Sequence, residues 1–430
     1  MKLHYLPVKL RYLKEIISDH RGVVFLCLAI CMNSWGMGAI SPILPLFTDQ
    51  EYGVSRTQVG LAVGLHGMSR LFIAVPAGYM AQRRGCRFVL NLGTVVNLAG
   101  AAMVALSFNY YWLLGWRTVS GLGSAMFTTG VSIYLRDMAT PESRARFLSL
   151  QELSILVGVT FGPYIGGIMG EHWGLRSPLH LQVILILVSL GLLYKFVPEP
   201  RAGSVSEPPA GTGISAKQSG GRARPVAAPG SLRRLLVSPA FIFVGLFGLM
   251  IVANRQGGRF TIMPLYGEAK GFRPDQLGAF ISITHFPQFF TTVISGFLSD
   301  RIGRKATIIP AVLLISLGIV AFIWGETFLM LVISGVLLGL GEGLAGPPSV
   351  AFFADIAPPG LEGVTMGLFR TFGGLGSLLG ALLLGGVADL WGFGWSLGVD
   401  AVLLVASAVG VMLLVRETAV RRSKRTADSS

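Results

Sequence analysis

The stretch Gly78-Tyr-Met-Ala-Gln82-Arg83-Arg84-Gly85-Cys86-Arg87 returns 218 residues later as Gly296-Phe-Leu-Ser-Asp300-Arg301-Ile-Gly303-Arg304-Lys305. Both copies are short, basic and glycine-punctuated, and both sit between long apolar runs. The likeness extends outward at the same offset. Gln58-Val-Gly60 answers Gln276-Leu-Gly278, Asp137 answers Asp355, and Trp173-Gly174 answers Trp391-Gly392. A match that holds across loops, runs and their far ends at one spacing marks a duplicated unit.

The apolar runs identify the surroundings of that unit. A hydrocarbon core of roughly 30 Å takes about 20 helical residues. Twelve runs near that length follow one another, at 23–47, 58–80, 88–107, 111–136, 147–170, 178–197, 240–265, 276–299, 306–325, 328–353, 364–388 and 394–416. Of 430 residues only 13% are charged and 52% are hydrophobic, too little charge to coat a soluble protein of this size. The first run is too long and too rich in Pro and Gly for a signal peptide, so it is expected to be the first span. The fold class expected is an all-α membrane protein, with twelve transmembrane helices in two pseudo-symmetric six-helix bundles.

The net charge of +14 gains meaning from its placement. Lys9, Arg11, Lys14, Arg83, Arg84, Arg87, Arg144, Arg146, Arg233, Arg234, Arg304, Lys305 and the basic tail from Arg421 to Arg425 all fall on one side of the predicted membrane. The other side holds Arg56, Arg176, Lys270 and Arg273. That asymmetry predicts a multi-pass protein of the cell's inner (plasma) membrane with both termini cytoplasmic. Nucleic-acid binding would need the charge on one face of a soluble domain, and no run of sequence supplies one. Cys27 and Cys31 lie one turn apart without a third ligand and read as packing residues, and Cys86 in a cytoplasmic loop implies no disulfide. No metal is expected.

Residues 199–237 are rich in Pro, Gly, Ser and Ala and are expected to be a flexible cytoplasmic linker. It divides an N-terminal half, 22–198, from a C-terminal half, 238–417. Residues 1–21 form an N-terminal cytoplasmic segment and 418–430 a cytoplasmic tail. Leu6, Leu10, Leu13 and Ile17 make one helical stripe, consistent with an interfacial helix or with a solvated tail.

With these motifs in place the chain resembles the major facilitator superfamily, and within it the twelve-span drug:proton antiporters, over essentially all of residues 20–418. The loop at Gly296 to Lys305 matches the superfamily's loop motif, in which Asp300, Arg301, Gly303 and Arg304 would help latch the halves outward-facing. The first copy, with Gly78, Arg83, Gly85 and Arg87, departs from it because Gln82 replaces the expected Asp. Asp137 matches the latch's usual acidic partner and could hold Arg83 or Arg87. Arg117, in Leu113-Leu-Gly-Trp-Arg117-Thr-Val-Ser-Gly121, matches an intramembrane arginine that the family ties to proton transfer. Gly158-Val-Thr-Phe-Gly162-Pro163-Tyr-Ile-Gly166-Gly167 matches the antiporter motif, which the resemblance makes a seal between halves. Gly36-Met-Gly-Ala-Ile-Ser-Pro42-Ile-Leu-Pro45 also fits a pattern of the exporters.

Ionisable residues deep in spans are costly and therefore functional candidates. Here they are Arg70, Arg117, Glu152, Arg255, Arg259, Glu342 and Arg370, with His66 and His285. His66 and Arg70 share a helix face, as do Arg255 and Arg259, and Gln151 aligns with Arg370 across the repeat. Asn33 is the strong polar group of the first helix, where some antiporters carry acids. Asp400 is placed near the outer end of the twelfth helix. The substrate cavity is expected to involve Asn33, His66, Arg70, Gln151, Arg255, Arg259, His285 and Arg370, and its positive excess favours an anionic or strongly polar substrate group. Proton coupling is assigned to Arg117, Glu152 and Glu342, with His66 a further candidate, because a carboxyl can change state as its solvation alternates. Trp35, Phe127, Tyr164, Phe260, Phe286, Phe289 and Phe372 are candidate cavity walls or simple packing residues.

Proton-coupled efflux of drugs or metabolites is therefore the leading expectation, with uptake or facilitated passage of an organic anion the alternative. Partners are a small-molecule substrate, protons and the lipid bilayer; no cofactor beyond the proton gradient is expected, and the chain is expected to act as a monomer. An enzyme is disfavoured: Gly341-x-Gly343-x-x-Gly346 formally matches a dinucleotide fingerprint but lies inside an apolar run with no preceding strand.

Overall fold

The computed structural model describes residues 21–139, 143–199 and 231–417. Described residues form helices and connecting turns, and twelve long helical segments account for the twelve apolar runs. They are Arg21–Ile40, Arg56–Arg84, Cys86–Ala105, Tyr110–Met138, Arg144–Trp173, Ser177–Phe196, Pro239–Ala269 (broken), Pro274–Ile302, Arg304–Trp324, Phe328–Ile356, Glu362–Trp391 and Phe393–Leu414. Ten are long and apolar enough to cross a membrane on length and composition alone, and the bent second helix makes eleven. The remaining one, Tyr110–Met138, is 29 residues long and carries Arg117. We number these spans one to twelve. "Outer" and "inner" follow the orientation expected from the charges.

Local chemistry sets the ends. Ser55 and Gln58 form a capping box at the start of span 2, and Asn109, Ser238 and Thr327 cap spans 4, 7 and 10 with side-chain oxygens. The basic loops turn on Gly85 and Gly303, whose φ values of 89° and 106° are strained for any other residue. The same two loops are tied down by acids at corresponding positions, more closely in the second half. Glu417 accepts from the backbone N–H of Arg304 (3.0 Å) and Lys305 (2.9 Å), and Lys305 Nζ donates to the Met412 carbonyl. In the first half Glu199 accepts from the Arg87 N–H at 3.5 Å, and the Arg87 guanidinium donates to the Tyr194 carbonyl. A carboxylate at a helix N-terminus is stabilised by the free N–H groups and the helix dipole. The repeat thus extends to residues that the sequence comparison did not pair.

Three expectations need correction. The first run is two helices, since Arg21–Ile40 ends at a turn through Ser41 and Pro42 and Ile43–Tyr52 follows as a separate helix. Ser41 caps the break by donating to the Gly38 carbonyl at 2.8 Å. The seventh run contains a π-helical segment, Asn254–Ile262, where the Thr261 hydroxyl donates to the Gln256 carbonyl. The segment called linker is not wholly flexible at its ends. Ser231–Val237 is a short helix whose Leu235 is buried in the second-half core, and Glu199 anchors span 3. The stretch between, and the expected interfacial helix and basic tail, lie outside the described residues.

Within each half, spans pack through close glycine contacts, as membrane helices must where no hydrophobic effect drives them together. Spans 3 and 4 meet at Gly93, Gly100 and Gly123, and spans 9 and 10 at Gly318 and Gly341. Between halves, span 2 packs on span 11 and span 5 on span 8. Leu46 and Val59 of the first half are buried in a cluster made otherwise of second-half residues. Both lie toward the outer end, where the halves are closed together.

Candidate transport cavity

The closure is made of specific bonds. Asp389 of span 11 accepts from the N–H groups of Arg56 (2.8 Å) and Thr57 (3.0 Å) and from the Thr57 hydroxyl (2.6 Å). It therefore caps span 2 from the other half. Gln50 donates to Glu268 across the same seam, and the Tyr164 N–H donates to Ser282 Oγ at 2.9 Å.

The antiporter motif divides its labour. Gly158, Gly162 and Gly166 face span 1, against Trp35, Gly38 and Ala39, all within the first half. Pro163 and Gly167 reach the other half, where they abut Gly278, Pro274 and Asp275, as does the Tyr164 N–H that bonds Ser282. The cross-half contacts of the motif thus come from Pro163, Tyr164 and Gly167.

Beneath those contacts lies a cavity of about 980 Å³ between spans 1, 2, 4, 5, 7 and 8. Arg117, Glu152, Arg255, Arg259 and His285 line it, together with Phe260, Phe289 and the polar Ser41, Ser149, Gln256, Gln288 and Thr292. Glu152 is exposed, whereas Arg117 is buried to 3% and its Nε has no hydrogen-bond partner. His285 Nδ1 lies 2.8 Å from the Ile281 carbonyl, so that nitrogen carries a proton and Nε2 is left for the cavity. Its ring stacks on Phe260 at 6.3 Å.

Other predicted residues stand behind the wall rather than in it. Glu342 forms a buried ion pair with Arg259 at 2.9 Å, the two side chains 4% and 1% exposed. The approach is poorly directed, for neither the guanidinium nor Glu342 Oε1 makes a well-angled hydrogen bond. His66 is buried against the backbone of Arg117. Asn33 is not a cavity residue. It accepts weakly from Asn97 (3.4 Å), which in turn accepts from Ser120 (2.8 Å), so it belongs to a buried polar chain through spans 1, 3 and 4. Gln151 and Arg370 do not line the cavity, and Arg70 and Arg370 are exposed at the seam of spans 2 and 11. Of the aromatics, Phe127 is core and Phe372 packs on Phe241 and Phe353, while Phe286 is 64% exposed.

Asp400 and its partner Asn254 escaped sequence reasoning as a site. Asp400, read as an outer-end charge, is buried and accepts from Asn254 Nδ2 at 2.6 Å. A Cβ on Gly258 would meet the same carboxylate, so this glycine of the π-segment leaves room for the acid of span 12, while Gly257 abuts Gly380 of span 11. A polar residue two turns inside an apolar run was the available signal.

The inner loops differ between halves. Arg304 bonds Asp300 (2.6 Å), Ser299 (2.7 Å) and Asp355 (3.3 Å). At the corresponding first-half positions stand Gln82, Cys86 and Asp137, so the arginine is lost along with the first acid. Asp137 pairs with its neighbour Arg136 at 3.3 Å, Arg83 stacks over Tyr79 at 4.6 Å, and Arg301 is exposed. Gly78 and Gly296 face open space.

The sequence profile of the Major Facilitator Superfamily matches residues 26–286 and 256–429. The chain belongs to this superfamily of transporters. An MFS-type transporter of Methanocaldococcus jannaschii is 23% identical over 361 residues, 83% of this chain and 88% of that one. The quinolone resistance protein NorA of Staphylococcus aureus is 23% identical over 374 residues, 83% and 87% of the two chains. Among solved structures, the nucleoside transporter NupG superposes with a TM-score of 0.75 at 14% identity, covering 92% of this chain and 99% of its own. An inward-facing bacterial homologue of the human lysosomal transporter Spinster gives 0.74 at 16% identity, covering 92% and 96%. At such identities these structures speak for the fold alone.

Proposed function

We propose that this transporter works by alternating access and exports small organic compounds in exchange for protons, with the halves 22–198 and 238–417 rocking about the cavity. The observation that carries the reading is an exposed carboxylate, Glu152, in a cavity closed at one end by the Pro163–Gly167 turn. Closure of the opposite end would strip water from Glu152, and desolvation disfavours the charged carboxylate. A carboxyl that is alternately hydrated and dehydrated can take a proton on one side and release it on the other. Arg117, and the Arg259–Glu342 pair, supply fixed or exchangeable charge nearby. The likeness to a quinolone resistance protein supports export of organic compounds.

In this reading the protein is a monomer in the plasma membrane with both termini cytoplasmic, needs no cofactor beyond the proton gradient, and is captured here closed to the outside. Inverted vesicles with an acid interior test it. ΔpH-driven accumulation of a fluoroquinolone or a dye is expected, and it should collapse with a protonophore. Failure to accumulate any such compound, with uptake of organic anions by proteoliposomes, would replace export by anion uptake. The cavity's arginines favour that second reading.

A further inference from the structure

We propose that Arg70, Arg255 and Arg370 form one anion-binding site at the junction of spans 2, 7 and 11, fitted to a phosphomonoester group. The site deepens the transport reading by naming a substrate class, and rests on it for its biological use.

Packing places the three together. The methyls of Leu71, next to Arg70, lie against Gly374, and a Cβ on Gly67 would meet Ser377. Arg370 is one helical turn before Gly374. Gln256, adjacent to Arg255, donates to Ser377 Oγ at 3.4 Å. Three guanidinium-bearing turns therefore converge on one stretch of span 11, and Arg70 is within electrostatic range of both other arginines. Among the described residues none of the three has an ion pair or a side-chain hydrogen bond, in contrast to Arg259 and Arg304, which have acids. Arg255 lines the cavity, and Arg70 and Arg370 are exposed at the adjoining seam of spans 2 and 11, so the proposed site lies beside the cavity wall.

Escape to the membrane surface does not explain Arg70. It is fourteen residues from either end of Arg56–Arg84, roughly 21 Å of helix, beyond the reach of its side chain. Three like charges brought together within the spans are mutually repulsive and poorly solvated, and an anion relieves both costs. Guanidinium groups are forks matched to carboxylate and phosphate oxygens. A phosphomonoester carries about −1.5 to −2 charges and three acceptor oxygens, one edge for each fork. Arg70 comes from the first half and the other two from the second, so an anion held here also bridges the moving bodies. The phosphate could belong to a soluble metabolite or to a lipid headgroup entering between spans 2 and 11.

The test uses the full-length protein, purified in detergent. Thermal stability is measured with glycerol 3-phosphate, with glycerol, and with chloride at matched ionic strength, and separately with short-chain phosphatidic acid against phosphatidylcholine. Stabilisation by glycerol 3-phosphate supports the site with a soluble ligand, and stabilisation by phosphatidic acid alone supports it with a lipid one. Arg70→Gln and Arg370→Gln should each weaken the apparent affinity by roughly tenfold or more, and Arg70→Lys by less. No response of the wild-type protein to either phosphate overturns the proposal, whatever the variants do. So does a response that survives both Gln substitutions. If phosphates fail to bind while ΔpH-driven export proceeds, only this site is wrong; if they bind without such export, only the export reading is.

Discussion

Replacing Gly167 or Gly162 by alanine adds the same methyl group to the same helix, yet the structure gives the two changes different consequences. A Cβ at Gly167 would lie 2.5 Å from the Pro274 carbonyl oxygen, 3.0 Å from Asp275 Cα and 3.1 Å from Gly278 Cα, all backbone atoms of the opposite half. Relief requires span 8 to move away, which opens the outer end. A Cβ at Gly162 would lie 2.7 Å from the Trp35 carbonyl and 2.9 Å from Ala39 N and Gly38 Cα, all within the first half. That strain persists in every conformation. Overpacking by a methyl group costs about 1–3 kcal/mol, and applied to one of two conformers it shifts their ratio by roughly five- to 150-fold. Gly167→Ala should therefore raise the outward-open population while leaving thermal stability nearly unchanged. Gly162→Ala should lower thermal stability and leave the population alone. The assay is a spin-label distance distribution across the outer seam, between cysteines at the exposed helical positions Glu51 and Ala269, in a background without native cysteines. Equal effects of the two variants on that distribution would refute the division of the motif into an internal and a cross-half part.

Asp389→Asn keeps the shape of the cross-half cap but removes its charge from the start of span 2, so the same distance measurement should show an opened outer end; an unchanged distribution would make the cap incidental. Burial raises the Asp49 carboxyl above its ordinary range, Arg56 opposes the rise and Asp389 adds to it. The proton is therefore held more tightly in the outer-closed form, so mild acidification of the outer side should favour closure, until Asp389 is itself protonated and the cap is lost. Asp49→Asn should flatten that pH response. Glu342→Gln leaves the buried Arg259 without its counter-charge and should cost about 3–5 kcal/mol of stability, whereas replacing both partners by apolar residues should cost far less. Thermal unfolding of the single and double variants measures this, and an additive result would contradict it. Glu152→Gln should abolish ΔpH-driven accumulation while ligand-induced thermal shifts persist; retained coupling would remove Glu152 from the proton path.

Sequence alone determined the membrane, the twelve spans and the duplication, because hydrocarbon imposes its length and its intolerance of charge locally on every span. It also found Arg117, Glu152, Arg255, Arg259 and His285, since a deep ionisable residue is conspicuous in an apolar run. Tertiary structure decided which of the remaining charges face the cavity. Asn33 and Glu342 look alike in sequence as polar groups in spans, but one closes a buried chain and the other neutralises an arginine. Asp400 and Asp389 look like end charges, yet the π-segment draws one inward and the closed seam makes the other a cap for the opposite half. Which neighbour a charge meets depends on the rotation of each helix and on the approach of the two halves. Both are set by contacts between residues far apart in the chain, and no periodicity within a single span records them.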